Sequence, residues 1–444
     1  MPKAIDNEIN KVIAEIKKIN DEYNYFTILC NVQERNTGKL NGYYVSVKDC
    51  ICVKDIESTA GSEILKGYKP VFDATVVKKI KEEGAVIIGK TSQDEFGFGG
   101  FSINTKIIPK NPFDKERSCG GSSGGAAGIT QKAAFKHIAL AESTGGSIVN
   151  PACFCGVYGL CPTYGLVSRY GLIDYANSLD KIGVMAKSIE DTALGLSIIS
   201  GYDEKDSTSV KKKQEDYTTY VNQKFNGRIG ILNYENVDSK VNEQIIKTIE
   251  KLKNKLGSSN VKEIKLPYTQ KYSLACYYIL ACAEASTNLA KLCGLRYGKG
   301  EKLEDDMNKY FSSVRSKYFS SEAKRRIILG TFTRMAGHRD AYYIKALKVR
   351  TKIIKEYKKA FSEIDAILSP VVPVLPLKFS EIKKLSPLQN YLMDIMTVGP
   401  NLAGLPHINM PLKLVDNLPT GIMAIADHFE EKKLIQLCSL VKSL

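Results

Sequence analysis

The sequence predicts an α/β protein built on a large mixed β-sheet. Three observations carry that expectation. Short aliphatic runs alternate with segments of helical periodicity along most of the chain. One pair of such runs brackets a helix as a β-α-β unit, and the last third of the chain returns to strand-like runs separated by turn residues.

Taken in order, residues 3–20 read as an amphipathic helix. Residues 43–48 alternate, with Val45 and Val47 on one face and Tyr44, Ser46 and Lys48 on the other, as a strand does. DATVVKKIKEEG (73–84) reads as a helix stopped by Gly84, and AVIIG (85–89) as a buried strand. A Gly/Ser-rich loop, CGGSSGGAAG (119–128), leads into a short Ala-rich helix. HIALAES (137–143) reads as a strand that runs into a second Gly-rich turn, TGGS (144–147). Ser188 and Asp191 open a capped helix over 188–201, with Gly201 as its stop. RIGIL (228–232), a helix over 241–257 and VKEIKL (261–266) form the β-α-β unit. Long helices are expected near 274–292 and 340–363. Strands follow at AILSP (366–370), HINMP (407–411) and TGIMAIA (420–426), then a last helix at 430–444.

Composition narrows the function classes. The 43% hydrophobic and 25% charged shares suit a globular protein in water. No apolar run approaches the ~18–20 residues of a membrane span, and the N-terminus has no uninterrupted apolar signal core. A cytoplasmic location without membrane contact is the expectation. Eleven cysteines, an odd number in aliphatic contexts, argue against a disulfide framework. The C-x-C pairs Cys50/Cys52 and Cys153/Cys155 read as packed thiols rather than a metal site. A net charge of +15 attracts polyanions, although no nucleic-acid-binding module is readable in the sequence.

The chemistry concentrates between Cys119 and Ser147, where glycines surround Ser122, Ser123 and Ser147. Glycine allows positive φ and close approach of a ligand to the main chain. Three readings are open: a pair of flexible turns, a phosphate cradle, or an acyl-transfer site. The phosphate cradle lacks the G-x-x-x-x-G-K-[ST] pattern. In the acyl-transfer reading, the N–H groups of the Thr144–Ser147 turn face a developing oxyanion and a serine is the nucleophile. None of His137, His338, His407 and His428 stands in a Ser/His/Asp context. A lysine serves as base only when neutral, which burial or a cationic neighbour brings about. Lys48, at the end of an otherwise apolar strand, is the candidate.

CGGSSGGAAG followed by TGGSIVNPA resembles the amidase signature, and VSVKDC resembles that family's lysine segment. The similarity runs from about residue 40 to the C-terminus. It is stronger toward one branch, the A subunits of glutamine-dependent aspartyl/glutamyl-tRNA amidotransferases. Residues 159–209 resemble that branch nearly throughout, and so do EASTNLAKLCGLRYG (284–298), AKRRIILGTF (323–332), DAYYIKALKVRTKI (340–353) and GPNLAGLP (399–406).

The resemblance implies one amidase-signature domain over 1–444, its sheet covered by helices on both faces. Within it lie an N-terminal helical segment at 1–39, a signature core at 40–202 and a candidate flexible excursion at 203–220. It implies a Ser–cis-Ser–Lys triad in which Ser147 is the nucleophile and Ser122, after a cis bond from Gly121, relays its proton to a neutral Lys48. Ser123 supports the network. Thr144, Gly145 and Gly146 form the oxyanion hole, and Tyr277, Arg326 and Asp394 hold glutamine. An arginine suits the substrate carboxylate and an aspartate its ammonium.

The implied function is a glutaminase subunit supplying ammonia for the conversion of Glu-tRNA(Gln) or Asp-tRNA(Asn) to the amidated tRNA. Its partners would be a B-type subunit, a small C-type subunit where present, and aminoacyl-tRNA through the complex. No cofactor is expected in this chain; ATP and Mg²⁺ are expected on the partner subunit. A free-standing amidase for small amides and a catalytically weak scaffold are the alternatives. The second turn departs from the family's G-S-D-T-G-G-S-I-R, since Ser143 stands at the Asp and Val149 at the Arg.

Overall fold

The computed structural model describes residues 2–31, 37–303 and 305–444. Of the N-terminal segment 1–39, Met1 and residues 32–36 lie outside the described residues. The strands are β1 (Phe26–Leu29), β2 (Tyr44–Lys48), β3 (Val86–Thr91), β4 (His137–Ser143), β5 (Tyr158–Cys161), β6 (Lys181–Ala186), β7 (Ile229–Leu232), β8 (Val261–Ile264), β9 (Ala366–Pro370), β10 (His407–Pro411) and β11 (Gly421–Ile425). They join in one sheet of order β1-β3-β2-β4-β6-β5-β10-β11-β9-β7-β8. β3, β2 and β4 run parallel at one side, as do β9, β7 and β8 at the other. The strands between them are antiparallel. The sheet is therefore mixed, as expected.

Every residue of β2, β4, β5, β6, β7, β9 and β11 is buried. Successive side chains of a strand point to opposite faces, so both faces of this sheet are covered. The same burial explains why β5 and β6 escape a sequence reading. YGLC and KIGVMA are short, interrupted by glycine and without polar alternation, because neither face meets water. Yet they occupy the middle of the sheet, between β4 and β10. β1, at the edge, is also absent from the sequence-based expectation.

The helices follow the expected order with shifted bounds. The N-terminal helix spans Pro2–Tyr23, and the one stopped near Gly84 spans Thr75–Glu82. Ser188 caps Ile189–Ile199 by accepting the Asp191 N–H at 3.0 Å. The β-α-β unit is β7, Ser239–Leu256 and β8, with its strands parallel. Pro267–Asn288 starts earlier than 274, because Pro267 suits a first helical turn. Near 340 the chain makes a π-helical turn, Asp340–Ile344, before the helix Lys345–Phe361.

Two helices, Met307–Tyr318 and Ser321–Arg334, were not foreseen. The second leaves Ile328, Leu329 and Phe332 exposed, which blurs the apolar stripe that marks a helix in sequence. The segment 203–220 is mostly irregular but tied down. Asp203 accepts from Ser168 and Thr75, Asp206 accepts the Arg169 N–H, and Tyr217 is buried. All the cysteines are free.

Candidate active site

Parallel pairing decides where the candidate residues meet. β2 and β4 run in the same direction in register, Val47 opposite Leu140, so Lys48 and Glu142 arrive together at the carboxyl ends of the two strands. There Lys48 Nζ donates to Ser122 Oγ, to the Glu142 carbonyl and to Glu142 Oε2, each at 2.8 Å. The lysine side chain is 0% exposed and that of Glu142 4%. Ser123 Oγ donates to the same Glu142 carbonyl at 3.2 Å, a supporting position.

This geometry differs from a lysine kept neutral by apolar surroundings. A buried carboxylate faces it, and three acceptors match the three donors of an ammonium group. Glu142 is itself part of a chain. Thr144 Oγ1 lies 2.9 Å from Glu142 Oε1 and 2.8 Å from Asp180 Oδ1. One hydroxyl proton cannot serve two carboxylates, so one carboxyl carries a proton. Burial, and next the Glu142 charge, push Asp180 well above the ordinary carboxylate range. Asp180 is thus the neutral member, its Oδ2 accepting the Tyr175 and Ala176 N–H groups.

The serine loop has its own brace. The Gly121–Ser122 peptide bond is cis. The Asp94 N–H donates to the Ser122 carbonyl at 3.2 Å, while the Asp94 carboxyl accepts the N–H groups of Ser102 and Asn104 at 2.9 and 2.8 Å. A Cβ on Gly121 would collide with Asp94 Oδ2 and come within 2.6 Å of the Phe101 nitrogen, so only glycine fits. Burial raises the Asp94 carboxyl to about 7.

The second turn begins where β4 ends. Ser143 Oγ donates to the Gly145 carbonyl at 2.9 Å, and Asn401 Nδ2 donates to the same oxygen. Among the described residues, none accepts a hydrogen bond from the N–H of Gly145, Gly146 or Ser147. Unpaired N–H groups beside a serine are available to an oxyanion. Ser147 is 7% exposed. The Tyr277 hydroxyl closes one side of the turn, 2.9 Å from where a Gly145 Cβ would stand. Asn150 closes the other side, where its amide would collide with a Cβ on Gly146.

Asn150 links the turn to the remaining candidates. Its Nδ2 donates to Asp394 Oδ1 at 3.0 Å, and Tyr278 donates to Asp394 Oδ2 at 2.8 Å. Burial raises the Asp394 carboxyl to about 6, against the pull of those two hydrogen bonds and of Arg326. Arg326 lies over the rings of Phe98, Tyr278 and Tyr391 at 5.0, 5.2 and 5.4 Å from their centroids. It donates through Nε to Glu322 at 2.8 Å and through Nη1 to the Tyr175 hydroxyl at 2.5 Å. A cavity of about 270 Å³ opens beside it, lined by Gly99, Phe101, Tyr278, Glu322 and Tyr391 among others. Two larger hollows, of about 600 and 660 Å³, are lined by none of the candidate residues.

The family model described as Amidase matches residues 9–435 of the chain. The chain belongs to the amidase family. It is 42% identical over 440 residues to the A subunit of glutamyl-tRNA(Gln) amidotransferase from Halothermothrix orenii, covering 96% of this chain and 91% of the relative. It is 45% identical over 407 residues to the second A subunit of glutamyl-tRNA(Gln) amidotransferase from Clostridium acetobutylicum, covering 90% and 84%. Among solved structures, the crystal structure of the glutamyl-tRNA(Gln) amidotransferase A subunit from Thermotoga maritima superposes with a TM-score of 0.81. It is 39% identical, covering 96% of this chain and 89% of that one.

Within the family pattern, the departures are now physical. The two departing positions, Ser143 and Val149, are themselves fully buried and uncharged. Sequence reasoning missed Glu142, Asp180, Asn150, Tyr175, Tyr278 and Asp94. Glu142 had a signal, because it stands at the serine of G-S-D-T-G-G-S. Asn150, Tyr175 and Tyr278 have partners more than 100 residues away in the chain, and Asp94 and Asp180 brace loops that carry no recognisable pattern.

Proposed function

We propose that the chain is the glutaminase subunit of a tRNA-dependent amidotransferase. Ser147 attacks the side-chain amide of glutamine, Ser122 and Lys48 carry its proton, and the N–H groups of the Thr144–Gly146 turn receive the oxyanion. Ammonia leaves, and water hydrolyses the glutamyl ester.

One observation supports this reading most. Arg326 and Asp394 stand on either side of Tyr278, the cation over its ring and the carboxylate on its hydroxyl. A buried cation and a buried anion on one tyrosine match the carboxylate and ammonium of a free α-amino acid. An amidase for apolar amides has no need of such a pair. The ammonia would pass to a B-type partner subunit, where ATP and Mg²⁺ activate the carboxylate carried by tRNA. The tRNA is the polyanion for which the +15 charge is suited.

The test is ammonia release from glutamine by the chain co-expressed with its partner subunits. Glutamine should be hydrolysed in strong preference to simple aliphatic amides, and Ser147→Ala should abolish release. Release that persists in Ser147→Ala would exclude the mechanism.

A further inference from the structure

We infer that Glu142 is the terminal proton acceptor of the site, with Lys48 as the conduit between it and Ser122. The inference rests on the proposed reaction at Ser147 and adds a residue that the serine–serine–lysine relay does not contain.

The argument starts from proton count. Lys48 Nζ has three acceptors at 2.8 Å, which uses every hydrogen of an ammonium group. An ammonium has no lone pair and accepts nothing. To take a proton from Ser122 it must first release one, and the carboxylate oxygen Oε2 of Glu142 is the acceptor in place to receive it. The other oxygen of Glu142 is held by Thr144, whose second neighbour is Asp180. Because Asp180 is the protonated carboxyl, Glu142 is the anion of the chain.

Among the described residues, the carboxylate hydrogen-bonded to Lys48 is that of Glu142; Asp49 faces Lys90 at 3.7 Å and accepts the Thr59 and Gly61 N–H groups through Oδ2. Cys50 on the β2 side and Cys161 on β5 are thiols whose ionisation burial disfavours. Asp94 has its two oxygens on the Ser102 and Asn104 N–H groups. The Tyr175 hydroxyl accepts from Arg326, and Lys181 on β6 donates to the Leu405 carbonyl.

The balance then closes. Ser147 Oγ bonds to the amide carbon as its proton passes to Ser122 Oγ. The Ser122 proton passes to Lys48 Nζ, and one ammonium proton of Lys48 passes to Glu142 Oε2. When the C–N bond breaks, the same relay runs backwards and delivers a proton to the leaving nitrogen, which departs as ammonia. In deacylation, water loses its proton to the relay, and Ser147 recovers one as the ester bond breaks. Glu142 touches no substrate atom; it is a positioning and proton-holding residue acting through Lys48.

The test is the pH dependence of kcat at saturating glutamine in the intact complex, for wild type, Glu142→Gln and Glu142→Ser, because kcat/KM below pH 6 also carries the protonation of Asp394. In the wild type Glu142 takes the proton that Lys48 hands on, so the relay runs while Lys48 is an ammonium. In both variants the relay works only after Lys48 has lost its own proton. An ammonium group ordinarily titrates about six pH units above a carboxyl, and burial recovers only part of that gap. The acidic limb should therefore move up by at least one pH unit in both variants, with a loss of about 10²-fold or more at neutral pH. The position of the limb does not depend on how much of the sample is folded. A uniform loss with an unmoved limb would overturn the inference. So would a limb that moves down, which would mean that Glu142 only holds Lys48 in its charged form. Ser147→Ala, run alongside, tests the underlying reaction separately, because activity surviving there defeats the Ser147 reading whatever the limb does.

Discussion

Tyr278 donates its phenol hydrogen to Asp394 Oδ2 across 2.8 Å. The bond favours the charged carboxylate, yet burial outweighs it and holds the group at about 6. The sign follows directly. Above pH 6 the carboxylate is charged and can hold an ammonium; as pH falls through 6 it gains a proton and loses that grip. KM for glutamine should rise about tenfold per pH unit below 6, with kcat much less affected. Tyr278→Phe removes a bond that lowers the value, so its KM should begin to rise at a higher pH. Initial-rate kinetics at several pH values check both statements. An identical KM profile in Tyr278→Phe would contradict them.

The Lys48–Glu142 pair, its side chains 0% and 4% exposed, is a buried ion pair that also bears on stability. Removing one partner of such a pair leaves the other without compensation and costs about 3–5 kcal/mol. Lys48→Met should therefore lower the urea midpoint sharply, beyond the loss of activity. Lys48→Met combined with Glu142→Leu should recover most of that stability, because two well-packed apolar groups replace the pair. A double variant as unstable as the sum of the singles would show that the pair carries no coupling.

The contrast between these two sites shows what sequence patterns convey. Ser122, Ser123, Ser147 and the turn glycines are legible because contiguous segments hold them and only glycine fits beside Asp94 and Tyr277. Lys48 is legible as a strand-end residue, but the carboxylate facing it is not, since the pairing of β2 with β4 joins residues 94 apart in sequence. The Asn150–Asp394 bond spans 244 residues. The sheet's parallel ends were readable from strand–helix alternation. In its antiparallel centre β10 and β11 were readable but β5 and β6 were not, because short strands buried on both faces lose the period-two signal.

Arg326 is a planar fork wedged among aromatic rings, with Nε on Glu322 and Nη1 on Tyr175. Lysine keeps the charge but loses both the fixed fork and the stacking. Arg326→Lys should raise KM for glutamine by about tenfold or more while kcat changes far less, the pattern of a group that binds ground state and transition state alike. Steady-state kinetics with a parallel thermal melt separate this from misfolding. A kcat loss at constant KM would place Arg326 in the chemical step instead.

The charge of the chain offers a prediction about the complex as a whole. Lys262, Lys265, Lys352, Lys355 and Lys359 line a hollow of about 660 Å³ between the end of β8 and the helix Lys345–Phe361, with Lys352 Nζ 5.0 Å from the Tyr268 ring centroid. Two of the three acidic residues in that lining, Glu356 and Glu363, are engaged. Glu356 takes the N–H groups of Tyr268 and Thr269, and Glu363 takes Lys262. Cations beside an aromatic ring suit a nucleic-acid backbone, and each phosphate neutralised adds about 0.7–0.9 to the slope of log affinity against log salt. Changing Lys352, Lys355 and Lys359 to Glu should reduce the magnitude of that slope by about 2 or more for tRNA binding by the complex, and should slow amidation at physiological salt. Glutamine hydrolysis without tRNA should stay unchanged, because none of these residues lines the serine site. An unaltered salt slope would mean that tRNA passes elsewhere and that this basic face only keeps the chain soluble.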